Sequence, residues 1–149
     1  MKHPRTWYVV ADGGRARIVQ KRNGENAFDT HRELVSAEIH SHTHELGTDR
    51  PGRTHESAMS ARHAMQPRED LHRADKRNFV HEVAAALNEA NTRNEFDCLV
   101  LVAPAHALSD LRHALDSPTQ HKIVAQLQKD LTKVPDAELK EHFATINRA

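Results

Sequence analysis

The sequence predicts a single α/β domain, residues 1–149, in which helices flank a mixed β-sheet and a long polar loop is exposed. Three observations lead to this prediction. Short β-branched runs open the chain, an amphipathic helical pattern follows a polar segment, and a continuously apolar run then lies between helical patterns. This apolar run, FDCLVLVAP (residues 96–104), is typical of a central strand that is covered on both faces.

The first third of the chain predicts a β-meander. WYVVAD (residues 7–12) ends in Asp-Gly-Gly and is followed by ARIVQKR (residues 16–22). This is a hairpin signal, because glycine adopts positive φ without strain. Asn23-Gly24 marks a second turn, and FDTHRELVS (residues 28–36) is expected to form a third strand.

Periodicity is lost between about residue 38 and residue 70. Pro51, Gly52 and Pro67 interrupt this stretch, and its apolar residues are mostly Ala and Met. Loops of this length are uncommon in compact domains unless they are functional or disordered. We therefore expect a long exposed loop, in which residues 55–65 could form a short helical piece.

The second half predicts three helices and two strands. A first helix, residues 69–94, carries one apolar stripe, formed by Phe79, Val83, Ala86, Leu87 and Ala90. After the apolar strand, the patterns predict a helix over residues 105–116 that ends at Ser117-Pro118, a strand within residues 121–131, and a last helix beginning at Pro135.

Composition limits the classes of function. Lys plus Arg and Asp plus Glu number 21 each, so any contact with nucleic acid must come from a local patch. The 13 histidines would make the chain strongly cationic below about pH 6.5. Because the sequence shows neither a signal-peptide core nor a membrane-spanning run, we expect a cytoplasmic protein without membrane contact. Cys98, the single cysteine, is predicted to be a small buried residue.

The histidine cluster raises the question of a metal site. His40, His42 and His44 would share one face of an extended segment, and three imidazoles can hold zinc with a fourth position open. Same-face positions are nearly 7 Å apart along a strand, however, so the segment would have to bend. No HExxH, phosphate loop or GxSxG motif is present, and an Asp-Gly-Gly turn accounts for Asp12. No cofactor is therefore expected, and a zinc-dependent hydrolase that uses these histidines stays open as an alternative.

The arginines of the same segment suggest phosphate contacts. Arg50 and Arg53 flank the turn residues Pro51-Gly52, and two guanidinium groups on an exposed turn can bind phosphates bidentately. Asp49 and Glu56 dilute the charge, so a solvated loop explains the composition equally well. The candidate nucleic-acid-binding residues are Arg50, Gly52, Arg53, His55 and Arg62.

Five segments, in this order, resemble the bacterial host-attachment protein family, whose members are described as required for attachment to host cells. They are WYVVADGGRARIV, HELGTDRPGRTHES, FVHEVAAALNEA, DCLVLVAPAHALSDLRHAL and HKIVAQLQKDLTKVPDAEL. The resemblance covers residues 7–144. That family in turn looks like the middle domain of archaeal and eukaryotic peptide-chain release factors, which implies the same fold with a long exposed loop.

The resemblance also bears on function. Release factors carry Gly-Gly-Gln in the long loop, whereas the corresponding stretch here, THELGTDRPGRTHES (residues 43–57), has none. Peptidyl-tRNA hydrolysis is therefore not carried over. What the resemblance implies is a non-enzymatic scaffold that contacts the ribosome or structured RNA through residues 40–66. The alternative is a host-attachment or protein-interaction factor that acts through a protein partner.

Overall fold

The computed structural model has a mixed five-stranded sheet at its centre. Its strands are β1 (Thr6–Ala11), β2 (Arg15–Lys21), β3 (Phe28–Val35), β4 (Cys98–Val102) and β5 (Ile123–Leu127), and the helices are α1 (Thr54–Thr92), α2 (Ala105–Ala114), α3 (Ser117–Gln120) and α4 (Asp136–Phe143). The strand order is β3-β2-β1-β4-β5. Pairing is antiparallel from β1 through β3 and parallel among β1, β4 and β5. The structure describes residues 4–22, 27–36 and 54–146, with the side chains of α1 from residue 73 onward.

The predicted Asp-Gly-Gly hairpin is confirmed. Asp12 Oδ1 accepts hydrogen bonds from the backbone N–H groups of Gly14 and Arg15, each at 2.8 Å. The Asp12 N–H donates to the Arg15 carbonyl at 2.8 Å, which closes the turn between β1 and β2. The predicted third strand is confirmed as β3.

The sheet separates two apolar layers, and β1 contributes alternate residues to both. Trp7, Val9 and Ala11 pack with α1 and α2, whereas Tyr8 and Val10 pack with α4 on the opposite face. Strand β4 alternates in the same way, which explains why its sequence is continuously apolar. The expected arrangement, a mixed sheet with helices against it, is therefore confirmed.

Helix α1 begins earlier than the sequence indicates. It starts at Thr54 rather than near Glu69 and continues through Pro67, so residues 54–70 of the predicted polar loop are helical. The short helical piece allowed for residues 55–65 lies within it, and residues 38–53 lie outside the described residues. The apolar stripe is confirmed, except that Ala86 is half-buried and Val80 and Ala84 join the buried set.

The helix ends where its sequence allows a left-handed residue. Asn94 has φ 58°, a conformation that asparagine tolerates better than most residues. The Glu95 N–H then donates to the Ala90 carbonyl at 3.0 Å, which satisfies one of the last carbonyl groups of α1.

Two sequence-based details need correction. Ser117-Pro118 does more than end α2, because Asp116 accepts a hydrogen bond from the Thr119 N–H at 3.0 Å and caps the short helix α3. Cys98 is half-buried rather than fully buried, because it is the first residue of β4. Of the helices described, none combines the length and apolarity needed to cross a lipid bilayer.

Candidate functional site

The side chains predicted to bind RNA or zinc lie outside the described part of the chain. The metal candidates are His40, His42 and His44, and the nucleic-acid candidates are Arg50, Gly52, Arg53, His55 and Arg62. His55 and Arg62 lie on the backbone of α1, although their side chains are not described. Among the residues whose side chains are described, no cluster of three or more His, Cys, Asp or Glu could hold a metal ion. Both sets of contacts therefore stay predictions.

A cleft of about 1260 Å³ opens at the edge of the sheet where the parallel strands end. It is formed by four segments, which are the turn after β1, the start of α2 that follows β4, the loop after β5 and one stretch of α1. Their lining residues are Asp12–Arg15, Pro104–Ala107 with Asp110, Asp130 with Thr132 and Lys133, and Arg73, Lys76, Arg77 and Val80. Open α/β sheets bind ligands beyond the carboxyl ends of their strands. We call this feature the carboxyl-edge cleft.

Five cationic side chains line the carboxyl-edge cleft and three carboxylates oppose them, so the lining has an excess of two positive charges with His106 neutral. The cations are all exposed and come from three of the four segments. They are Arg15, Arg73, Lys76, Arg77 and Lys133. Within the described residues, no ion pair involves any of them. Their charges are therefore available to a ligand.

Two of the three carboxylates already accept hydrogen bonds from the protein. Asp12 Oδ1 accepts two from the hairpin turn. The Thr132 hydroxyl lies 3.1 Å from Asp12 Oδ2 and 2.7 Å from Asp130 Oδ1, and it donates its one proton to either of them. The Thr132 N–H also donates to Asp130 at 3.2 Å. Asp12 and Asp130 thus help to hold together the loops that follow β1 and β5.

Gly13 allows α1 to approach the turn closely. A Cβ atom at this position would lie 2.7 Å from Lys76 Cγ, 2.8 Å from Lys76 Cδ and 3.1 Å from Lys76 Cβ. The first two distances are shorter than Cβ contacts in proteins, so the aliphatic part of Lys76 packs directly against a residue without a side chain. Besides its part in the turn, Gly13 therefore leaves room for the Lys76 side chain.

Helix α2 points its first turn at the same cleft. Its N-cap residue, Pro104, makes no side-chain capping bond, and the first turn holds no acidic residue. The N–H groups at the start of a helix carry a partial positive charge that attracts anions. Ala105, His106 and Ala107, in that first turn, are all lining residues. Their backbone adds to the positive potential of the lining side chains.

The candidate residues named from the sequence all lie within residues 40–66, so Arg73, Lys76 and Arg77 were not among them, and Arg15, His106 and Lys133 were missed as well. A signal for these three existed. Each follows closely after a strand, and the carboxyl ends of parallel strands meet at one edge of a sheet. The strand order needed to use that signal was not predicted.

The sequence model of a family described as "Protein required for attachment to host cells" matches residues 7–143. No curated protein matches the chain. Among solved structures, the crystal structure of an archaeal translation termination factor is similar, with a TM-score of 0.44 and 9% sequence identity. The alignment covers 97% of this chain and 39% of that factor, so this chain spans about two fifths of its length.

Proposed function

The chain belongs to the family of proteins required for attachment to host cells, and from that premise we propose that it is a non-enzymatic, cytoplasmic module that binds structured RNA of the ribosome. Residues 40–66 and the adjoining cationic part of α1 would make the contacts. An attachment phenotype would then arise indirectly, through translation.

One observation carries the proposal. Arg73, Lys76 and Arg77 are exposed, and no described ion pair involves them. They lie on the same helix that begins inside residues 40–66. Cations that no carboxylate neutralises are the groups that bind the phosphates of RNA, and such contacts supply most of its non-specific affinity.

Continuity of α1 supports an extended contact rather than a point contact. The helix is unbroken from Thr54 to Thr92 and rises about 1.5 Å per residue, so the backbone of Arg62 lies roughly 16 Å along the axis from Arg73. Arg50 and Arg53 precede the same helix in the chain. Phosphates of one RNA segment could therefore meet cations both from residues 40–66 and from the described part of α1.

The balanced net charge shapes how this binding should behave. With equal numbers of acidic and basic residues, the protein has no long-range attraction for RNA at neutral pH. Affinity must come from the local cations, and it should fall as salt is added. Each phosphate contact contributes about −0.7 to −0.9 to the slope of log affinity against log salt concentration.

The test is the double variant Arg50→Ala/Arg53→Ala, with Arg112→Ala/Lys140→Ala as a control that removes two exposed cations elsewhere. We expect the intact protein to sediment with ribosomal particles in a low-salt sucrose gradient, and the first variant to remain at the top. Its salt slope on structured RNA should be shallower by about 1.4 to 1.8, with an unchanged melting temperature. The control should behave as the intact protein. Intact protein that stays at the top of the gradient, or a first variant that binds as well, would refute the proposal.

A further inference from the structure

We propose that the carboxyl-edge cleft binds a phosphomonoester of mononucleotide size, whose phosphate is held by the cations of α1 and of the hairpin turn. The inference stands on the described cleft alone. It shares Arg73, Lys76 and Arg77 with the proposed RNA contact, but it does not need residues 40–66, so variants of those residues and of the cleft test the two proposals separately.

The size of the cleft allows a ligand of mononucleotide size. A cleft of about 1260 Å³ is larger than the ~300–1,000 Å³ typical of ligand pockets, so it can hold more than an inorganic ion. Its lining cations come from the hairpin turn, from α1 and from the loop after β5. Cations that three segments contribute to one concave surface can act together on a single compact anion.

The charge of the site favours a phosphomonoester over a phosphodiester. Five cations against three carboxylates leave an excess of two positive charges. A phosphomonoester carries about −1.5 to −2 at pH 7, which balances that excess, whereas an internal phosphodiester carries only one negative charge. The hydrogen bonds that Asp12 and Asp130 accept come from neutral groups and do not remove their charge, so the five cations must outweigh all three carboxylates.

The rest of the lining suits a nucleoside. Val80, Pro104, Ala105 and Ala107 give part of the cleft an apolar surface, and Val80 is 3% exposed. The exposed imidazole of His106 lies beside them and can stack on a base. The uncapped first turn of α2 adds favourable potential for the phosphate. A ligand with both a dianionic and an aromatic part would use all of these groups.

Two variants probe the phosphate end without touching residues 40–66. Lys76→Ala removes a lining charge. Gly13→Ala keeps every charge but places a Cβ 2.7 Å from Lys76 Cγ, so the lysine must move. Lys140→Ala, an exposed lysine on α4, is the matched control. Trp7 fluorescence and circular dichroism would verify that each variant is folded, and Lys76→Ala, an exposed position, tests the proposal even if Gly13→Ala does not fold.

The experiment is calorimetric titration of the full chain with AMP, adenosine and inorganic phosphate, and with a short RNA bearing a 5′-phosphate or a 5′-hydroxyl. We expect AMP to bind and adenosine not to bind. Lys76→Ala and Gly13→Ala should each weaken AMP at least about tenfold, because a hydrogen-bonded charge contributes about 1.5–3 kcal/mol. Lys140→Ala should leave AMP binding unchanged.

The source of the phosphate follows from the same titrations. Binding of the 5′-phosphorylated RNA that is tighter than that of both AMP and the 5′-hydroxyl RNA would identify the ligand as an RNA end, and tighter binding of AMP would identify a free nucleotide. Both results support the site. It is overturned if neither AMP nor the phosphorylated RNA binds at millimolar concentration, if adenosine binds as well as AMP, or if Lys76→Ala has no effect. Arg50→Ala/Arg53→Ala should bind AMP normally, which separates this outcome from that of the RNA proposal.

Discussion

At the scale of single residues, Arg5 and Asp97 fasten the start of β1 to the start of β4. Asp97 Oδ2 accepts from the Arg5 backbone N–H at 2.8 Å and from Arg5 Nε at 3.1 Å, and Asp97 Oδ1 accepts from Nη2 at 3.1 Å. The Asp97 and Cys98 N–H groups both donate back to the Arg5 carbonyl. Two parallel strands that are distant in sequence are thereby aligned at their first residues.

This pairing predicts a pH-dependent contribution to stability. Hydrogen bonds from the Arg5 side chain, and then from its backbone, lower the pKa of Asp97 from 3.8 to about 2. Because the folded carboxyl has the lower pKa, its contribution is complete above about pH 4 and is lost as pH falls toward 2. We expect Asp97→Asn to lower the melting temperature at pH 6 and the difference to shrink between pH 4 and pH 2. A difference of the same size at pH 2 would contradict this account.

Whether the role of a single residue could be predicted depends on how far away in the sequence its contact partners lie. Asp12 was interpreted correctly as a turn residue, because its partners Gly14 and Arg15 are its near neighbours in the chain. The packing of Gly13 against Lys76 could not be predicted, because it depends on where α1 crosses the turn. A glycine pair indicates a turn, but it does not indicate what approaches the turn.

At the scale of elements, helix α4 is fixed to the sheet by a polar cluster. Asp136, its first residue, accepts from Arg17 on β2 at 2.8 Å and from the Thr30 N–H on β3 at 2.9 Å. The Thr30 hydroxyl lies 2.8 Å from the same carboxylate. Arg17 also donates to the carbonyls of Leu131 and Val134, which precede α4. Two strands and the entry to a helix therefore share one half-buried ion pair.

We predict that Asp136→Ala destabilises the protein by about 2 kcal/mol, because it removes charged hydrogen bonds and leaves Arg17, 13% exposed, without its carboxylate. Asp29→Ala is the matched control. It also breaks an aspartate–arginine pair, with Arg22, but both of these side chains are about half exposed, so we expect a much smaller loss of stability. Urea unfolding measures both values. Equal losses in the two variants would show that burial does not determine the strength of the Asp136 contact.

The elements themselves were predictable where a periodic apolar pattern faces the core. The stripe from Phe79 to Ala90 identified the packed part of α1 because those residues meet the sheet. The start at Thr54 was missed, since few apolar residues precede Phe79 and Pro67 suggested an interruption. An apolar pattern indicates burial, so it cannot locate the first turns of a helix when those turns carry no apolar stripe.

At the scale of the whole molecule, the carboxyl-edge cleft depends on the strand order. Three of its lining segments, residues 12–15, 104–110 and 130–133, are brought to one edge by the parallel pairing of β1, β4 and β5, and residues 73–80 of α1 pack beside them. The sequence indicated the strands and helices separately. Without the order β3-β2-β1-β4-β5 it could not indicate that these four segments meet. The site emerges from topology rather than from a motif.

The same topology couples the two faces of the sheet, because β1 and β4 contribute to both apolar layers. Trp7, the single tryptophan, is buried on the α1 face, whereas Leu139 of α4 is fully buried on the other. We predict that Leu139→Ala lowers the free energy of unfolding by about 2–5 kcal/mol. Trp7 fluorescence and far-ultraviolet circular dichroism should give the same lowered urea midpoint, although the substitution leaves the apolar layer around Trp7 unchanged.

Glu141→Ala, at an exposed position of the same helix, should change the midpoint little. If Leu139→Ala instead left the Trp7 transition in place while the dichroism transition began earlier, the α4 face would be unfolding separately. Strands β1 and β4 would then not transmit stability between the two layers. A shared midpoint would mean that the carboxyl-edge cleft, at the ends of those two strands, persists only while both layers are folded.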